Sequence, residues 1–291
     1  MELHQLRTFV AVAEEGHLTR AAERLFVSQP AVSAHIKALE GELGVTLFHR
    51  TPRGMTLTRE GERLAGRARR ILEDAQSLLG EAQGMSGALS GSFSLGLNTD
   101  SAFLRIGDIF ARIRGNYPGI SLSLANSSSR NIARDVRRGI LDAGFVYGDV
   151  SGDGVQADPL TEVPFHVVGP AQWAQRLDGA DWAALADMPW IWMAENCPFL
   201  EVLDRRFATL GVEPRKCTEG DHEDILRALV IAGEGLTLMR SDEAAEAQER
   251  GLLAVWPGDP LHMTLSLVRR ESRQDEPVLQ AVRDVILAVW G

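Results

Sequence analysis

Five stretches of this chain carry side chains suited to recognising another molecule. Ser28-Gln-Pro-Ala-Val-Ser33, with Ala34 and Lys37 beyond it, sets short hydrogen-bonding groups at the head of a helical pattern. Ser28 is placed to cap that helix, and Pro30 falls in its first turn, where a missing N–H costs nothing. Asn98-Thr-Asp-Ser101 and Asn126-Ser-Ser-Ser-Arg130 each follow a strand-like run, and Met193-Ala-Glu-Asn-Cys-Pro-Phe199 and Asp221-His222 open helical patterns. Free backbone N–H groups at helix starts, beside small hydroxyls and amides, suit a carboxylate or similar polar group. Caps alone would also explain Thr99, Ser127 and Ser128. Nothing in the chain adds catalysis to this binding chemistry. There is no Gly-x-Gly-x-x-Gly after a strand, no P-loop and no His-Glu-x-x-His. Asp149-Val-Ser-Gly-Asp-Gly154 begins like a calcium loop, but its twelfth position needs a bidentate Glu and holds Leu160. The seven histidines show no ligand spacing. No metal, cofactor or enzymatic activity is expected.

The first stretch needs helices to present it. Leu18, Ala21, Ala22 and Leu25 recur at helical spacing, and Phe26-Val27 makes an apolar turn. The following helix runs to about Gly41. It buries Val32, Ile36 and Leu39 and leaves Gln29, Ser33, Ala34 and Lys37 on other faces. A short helix, a tight turn and a second helix opening on small polar residues is how a helix-turn-helix reads base edges in the major groove of double-stranded DNA. Residues 3–15 supply a further helix, with Leu3, Leu6, Phe9, Val10 and Ala13 on its inner face. After Gly44, two β-prone runs flank Pro52-Arg-Gly54 and end near Thr58, the form of a wing hairpin. Charge alone would not suggest DNA. The net charge is −10, and residues 1–60 hold seven Lys/Arg against seven Asp/Glu. Arg50, Arg53 and Arg59 nevertheless cluster behind the second helix. A local basic edge on an acidic protein keeps non-specific affinity low and leaves selection to base contacts.

With those residues in view, the opening segment resembles the DNA-binding domain of the LysR-type transcriptional regulators. The matching residues are Leu6-Arg-Thr-Phe9, Ala21-Ala22, Leu25, Ser28-Gln-Pro-Ala-Val-Ser33, Ile36, Leu39-Glu40, Leu43-Gly44, Leu47-Phe48, Arg50, and Leu57-Thr58 with Gly61. The resemblance implies that Ser28, Gln29, Pro30, Ser33 and Ala34 belong to the DNA-binding face, with Gln29, Pro30 and Ser33 contacting bases. It also implies that Lys37, Arg50 and Arg53 serve backbone and groove contacts. As a bare reading, the arginines are equally solvated surface charges.

Residues 59–87 read as a linker helix. Leu64, Ala68, Ile71, Ala75, Leu78 and Ala82 alternate steps of three and four, a heptad seam that suits a coiled-coil-like dimer. In the family such a helix pairs two chains, the dimers commonly forming tetramers, and spaces two reading heads over an interrupted inverted repeat. Residues 88–92, in a Gly- and Ser-rich stretch, read as a hinge. Beyond it, strand-like runs at 93–97, 121–125, 143–147, 163–168, 190–193, 236–239 and 263–268 alternate with helical patterns. That alternation argues for parallel sheets joined by helical crossovers. The expected fold class is an all-α winged helix-turn-helix domain (1–58), the linker helix, and an α/β effector domain (93–291). By resemblance that last domain is similar to a periplasmic solute-binding protein. Subdomain I would be about 93–161 with 264–291, and subdomain II about 162–263.

In open α/β sheets ligands bind beyond the carboxyl ends of strands. This places Asn98, Thr99, Ser101, Ser127, Ser128, Glu195, Asn196, Cys197 and His222 around a small-molecule effector site. Cys197, before Pro198 at a helix start, has the setting that lowers a thiol pKa. It resembles the reactive cysteine of the family's peroxide-sensing branch, which makes a redox-responsive regulator acting through Cys197 the alternative. The departure is Cys217, twenty residues on, where that branch has its resolving cysteine nearer. With two cysteines, no basic-apolar leader and no apolar run approaching a membrane span, a cytoplasmic location is expected.

Overall fold

The structure, a computed structural model, describes residues 1–51, 54–84, 89–149, 152, 154–193, 198–220 and 223–291, with backbone alone at 73, 76, 77 and 79–84. Its contacts divide the chain into Met1–Ser90 and Gly91–Gly291.

The first unit begins with α1 (Leu3–Glu15), α2 (Leu18–Leu25) and α3 (Gln29–Leu43). Gly16 and Gly44, both left-handed, end α1 and α3. Ser28 Oγ accepts the Ala31 N–H at the start of α3. Between α2 and α3 the chain turns through Phe26, a non-glycine residue at φ +55° whose ring is 96% exposed. Leu6, Phe9, Val12, Ala21, Ala22, Val32, Ile36 and Leu39 interlock as one core, closed from below by Leu47 and Phe48. Phe9 and Phe48 meet edge to face at 5.5 Å.

The wing is an antiparallel pair, β1 (Phe48–Thr51) and β2 (Gly54–Leu57), in register from Phe48↔Leu57 to Thr51↔Gly54. Gly54 has φ +128°, and a Cβ there would stand 2.3 Å from the Gly16 carbonyl oxygen. The next amide, of Met55, donates to that same oxygen at 2.7 Å. The wing is thus fastened to the α1–α2 turn by backbone. Thr58 Oγ1 accepts from the Gly61 amide and donates to the Thr46 carbonyl, opening α4 (Arg59–Gly84).

One face of α4 belongs to this unit. Ala65 and Ala68 are buried in its core, Leu64 and Leu72 rest against it, and Arg69 pairs with Glu14 of α1. The seam read from sequence therefore divides. Ala68 is 4% exposed and Leu64 half-buried, so they are spent on their own chain, whereas Ile71 at 40% and Leu78 at 67% lie open. Steps of three and four could not separate these two neighbouring stripes. Ala75 is half-buried, and the side chain of Ala82 lies outside the described residues.

The second unit holds β3 (Ser90–Leu97), α5 (Ile106–Asn116), β4 (Gly119–Asn126), α6 (Ser129–Arg138), β5 (Ala143–Tyr147) and β6 (Val155–Pro170). Then come α7 (Ala174–Leu177), α8 (Trp182–Ala186), β7 (Pro189–Met193), α9 (Pro198–Leu210), β8 (Arg215–Gly220), α10 (Glu223–Ala232) and β9 (Thr237–Arg240). It closes with α11 (Ser241–Glu249), β10 (Leu253–Val255), β11 (Leu261–Arg270) and α12 (Pro277–Trp290). The main sheet runs β10-β6-β11-β5-β3-β4, with β9 also on β6, while β7 and β8 form a separate pair.

This sheet is mixed rather than parallel. Among the described pairings β3–β5 and β7–β8 are parallel, but β11 runs antiparallel to β5 and β6, as do β9 and β10 to β6. A helical crossover imposes parallel pairing, but β10 and β11 follow one another in the same direction along β6, joined by residues 256–260 alone, and both pair with it antiparallel. β6 and β11 run together from Val155↔Arg270 to Phe165↔Leu261, with a register shift at Leu265/Ser266. Their outer ends serve different halves of the sheet, β5 on one side and β9 and β10 on the other. Asp158 of β6 accepts from both Arg269 of β11 and Arg283 of α12, tying the first half together.

Candidate functional site

On the first unit, Gln29, Pro30, Ala34 and Lys37 stand exposed on α3, as does the Ser28 cap, and Ser33 is half-buried. Arg50 reaches from β1 and donates Nη2 to Ser33 Oγ at 3.4 Å. Gln29 and Arg50 flank a groove of about 470 Å³ whose other wall is His17, Thr19 and Arg20 at the start of α2. Arg20 was not singled out from sequence. Its signal was its position in the first turn of the leading helix, which in a helix-turn-helix crosses the backbone. Arg53 lies outside the described residues.

On the second unit a cleft of about 970 Å³ opens where strand ends from both halves converge. β3 and β4 end side by side, the Ser127 amide bonding to the Leu97 carbonyl. Ser128 caps α6 at the Asn131 amide. Ser129 Oγ accepts from the Tyr147 amide and the Asn98 Nδ2, drawing the ends of β3 and β5 onto the start of α6. The close seat of α6 depends on Gly144, where a Cβ would stand 2.2 Å from Ile132. Asn98, Thr99, Ser127 and Ser128 line the cleft. Ser101 does not. Its side chain is exposed and its carbonyl is taken by the Ile106 amide in the turn leading to α5. Glu195, Asn196, Cys197 and His222 lie outside the described residues. Cys217 is exposed, with Sγ 3.1 Å from the Trp190 carbonyl oxygen.

The centre of the cleft is charged. Arg240, at the end of β9, is 6% exposed and stacks 3.9 Å over the Phe103 ring. Its Nε donates to Asp242, Nη1 to Thr99, and Nη2 to Asp100 and Glu243. Burial works against its charge, but Asp242 and Glu243 outweigh burial and hold the guanidinium above its ordinary range. Asp100 is likewise held below its ordinary range: burial opposes, and the Phe103 amide and Arg240 prevail. Thr99 donates to Glu223 of α10 at 3.0 Å, a second bond from one half to the other. Burial, then the neighbouring Glu243 carboxylate, push Glu223 up to about 7. Tyr147, Phe165 and Phe199 form an aromatic floor, with ring centres 4.7 to 5.8 Å apart. The Tyr147 hydroxyl is buried without a hydrogen-bonding partner, and burial pushes its pKa up.

Sequence reasoning missed Arg240, Glu223 and Tyr147. The rule that found Asn98 and Ser127 applied equally to the strand ends at Tyr147 and Arg240, but those ends carry large groups rather than small caps. Asp100 sat inside a stretch already chosen.

The sequence pattern of the LysR substrate binding domain matches residues 86–291, and that of the bacterial regulatory helix-turn-helix protein, lysR family, matches residues 3–62. The chain is 31% identical, over 98% of its length and 95% of the other's, to the SDS degradation transcriptional activation protein of Pseudomonas sp. (strain ATCC 19151). A full-length OxyR variant from Pseudomonas aeruginosa superposes with a TM-score of 0.68 at 26% identity, covering 98% of this chain and 94% of that one. Full-length CbnR in complex with its target DNA shares the fold, with a TM-score of 0.67 at 22% identity and complete coverage of both chains. No helix among the described residues is long and apolar enough to cross a membrane. A helix-turn-helix head with an exposed reading face and an α/β domain with a deep cleft, in a chain matched along nearly its whole length, identify a transcriptional regulator with an effector-binding domain, and the chain belongs to the LysR family.

Proposed function

We propose that this regulator is switched by a small molecule bound in the cleft between the two halves of Gly91–Gly291. The observation that carries the reading is the pair of side-chain links between those halves, Thr99 to Glu223 and Arg240 to Thr99 and Asp100. A ligand entering there competes with these bonds and so binds different spacings of the halves with different affinity. Such a difference is what shifts a two-state equilibrium. In this reading 93–161 with 264–291 and 162–263 are the moving bodies. Residues 1–58 read DNA, 59–87 pair two chains through Ile71 and Leu78, and the hinge expected at 88–92 is confined to the residues before Ser90, because 90–92 belong to β3. Gln29, Pro30 and Ser33 contact bases, Ser28 and Ala34 lie on the same DNA-binding face, and Lys37, Arg50 and Arg53 serve backbone and groove contacts. The assembly is a cytoplasmic dimer or dimer of dimers on an interrupted inverted repeat.

The test is a metabolite screen by thermal unfolding of the full-length protein, followed by operator titration with and without each hit. A hit that shifts operator affinity in wild type but neither binds nor acts in Ala102→Trp, which obstructs the cleft, supports the reading. A hit that acts equally in both defeats it. The alternative of a thiol switch predicts that Cys197→Ser abolishes the response, and an intact response removes that alternative.

A further inference from the structure

The described residues lining the cleft carry six carboxylates, Asp100, Glu223, Asp224, Asp242, Glu243 and Glu246, against two guanidinium groups, Arg227 and Arg240. Arg240 is already held by Asp100, Asp242 and Glu243, whereas Arg227 gives Nη2 to Glu243 and keeps a buried Nε without a partner among the described residues. Arg240, at the centre, is therefore closed to an anion. Glu223 differs from the other acids. It is inside the cleft, it accepts one hydrogen bond, from Thr99, and it has no cation within ion-pair distance among the described residues. Facing it are Glu243 of α11, Asp100 and Thr99 from the β3 end, Arg240 of β9 and Tyr147 of β5. A half-buried carboxylate in such company repels its neighbours when ionised and welcomes a positive charge. A second observation lies beside it. Tyr147 is 2% exposed, lines the cleft, and has a hydroxyl that makes no hydrogen bond of ordinary geometry among the described residues, with Arg240 and Thr99 its polar neighbours; native interiors rarely leave such a group unpaired.

We propose that the effector of this regulator is a small organic cation whose protonated amine is taken by Glu223, with Tyr147 meeting a neighbouring polar atom. The assignment rests on the cleft being the effector site and names the chemistry of what fills it. The start of α6, with Ser127 and Ser128, remains available to a polar or anionic end of the same molecule. The rings of Tyr147 and Phe199, backed by buried Phe165, take the carbon skeleton between them. An organic cation fits better than a bare metal ion, because among the described residues no three His, Cys, Asp or Glu side chains converge as ligands would.

Putrescine, butanediol and succinate share one carbon skeleton with cationic, neutral and anionic ends, and serve as probes with the full-length protein. Putrescine is expected to raise the unfolding temperature saturably, with succinate and butanediol inert. Calorimetry near neutral pH in two buffers of different ionisation heat should detect proton release, because the bound ammonium returns Glu223 toward its ionised form. In Glu223→Gln, which keeps the shape and removes a half-buried charge, putrescine affinity should fall about tenfold or more and proton release should vanish. Tyr147→Phe supplies a second variant that keeps the core filled and should weaken putrescine less. A shift with succinate or butanediol but not putrescine, lost in Ala102→Trp, overturns the cation and leaves the cleft as effector site. A putrescine shift that survives both Glu223→Gln and Ala102→Trp places the cation elsewhere and overturns the proposal. So does the absence of any putrescine shift, or a larger response to calcium chloride.

Discussion

Ser33 of the recognition helix and Arg50 of the wing, elements joined by residues 44–47, meet through the Arg50 guanidinium at 3.4 Å. One was read as a base contact and the other as a backbone contact, yet each orients the other. Arg50→Ala should therefore weaken all duplexes, lower the salt slope by about one, and also relax sequence choice where Ser33 reads. Ser33→Ala should cost about 1–3 kcal/mol of discrimination at its base. The double variant should lose less than the sum, because each single change already frees the partner. Titration of cognate and scrambled duplexes at two salt concentrations measures all three, and strict additivity would contradict the coupling.

The division of α4 makes a sharper prediction about assembly. Leu78 lies open and Ala68 is buried in its own core. Leu78→Glu should dissociate dimers while leaving thermal unfolding of the first unit unchanged, since a Leu side chain at an interface contributes about 1.5–3 kcal/mol per copy. Ala68→Glu should instead unfold the first unit by placing an unpaired charge in its core. Sedimentation equilibrium and melting together separate the two outcomes. A Leu78→Glu chain that stays dimeric would show that pairing uses another face.

Two left-handed residues in the first unit should respond with opposite signs. Gly54 cannot take a Cβ without meeting the Gly16 carbonyl, so Gly54→Ala should detach the wing, cost about 1–3 kcal/mol, and weaken DNA binding without regard to sequence. Phe26 holds a left-handed turn that its own Cβ resists, and its ring touches little. Phe26→Gly should raise stability by up to about 1 kcal/mol. Chemical denaturation of each variant gives both numbers. If Phe26→Gly also lowers operator affinity, the exposed ring is a DNA or partner contact as well.

The first unit was legible because its information is local. The spacing of Ala21, Ala22, Val32, Ile36 and Leu39, the Ser28 cap and the Pro-Arg-Gly turn each act within a few residues. The second unit was legible only element by element. Its pairing is non-local, so the antiparallel course of β11 between β5 and β6 left no mark in either strand's own pattern. The same limit hid the cleft's charge. Arg240 stands 140 residues from Asp100, to which it donates. Caps such as Ser128 announce themselves by neighbours in sequence, whereas a buried ion network is defined only by the fold. The linker seam was legible only in part for a different reason: one periodicity served two adjacent faces of α4, one packed on its own unit and one open.

The carboxyl of Glu223 gives the effector domain a pH dependence whose sign follows from its shift. Its pKa rises from an ordinary 4.5 to about 7 in the folded protein, by burial and then by Glu243, against the pull of Thr99 and Arg240. The folded state therefore keeps this proton after the unfolded chain has released it. The favourable contribution is complete below pH 4.5, declines as pH rises, and is gone above pH 7, a total of roughly 3 kcal/mol. Arg240 stays charged and Tyr147 stays protonated across that window, and Asp100 titrates below it, so none of them reverses the trend. Glu223→Gln should remove this slope, leaving the variant close to wild type below pH 4.5 and more stable than wild type above pH 7. Urea unfolding of both proteins across that range is the measurement. Parallel curves would mean that Glu223 is solvated in solution and that the cleft is more open than the Thr99–Glu223 bond implies.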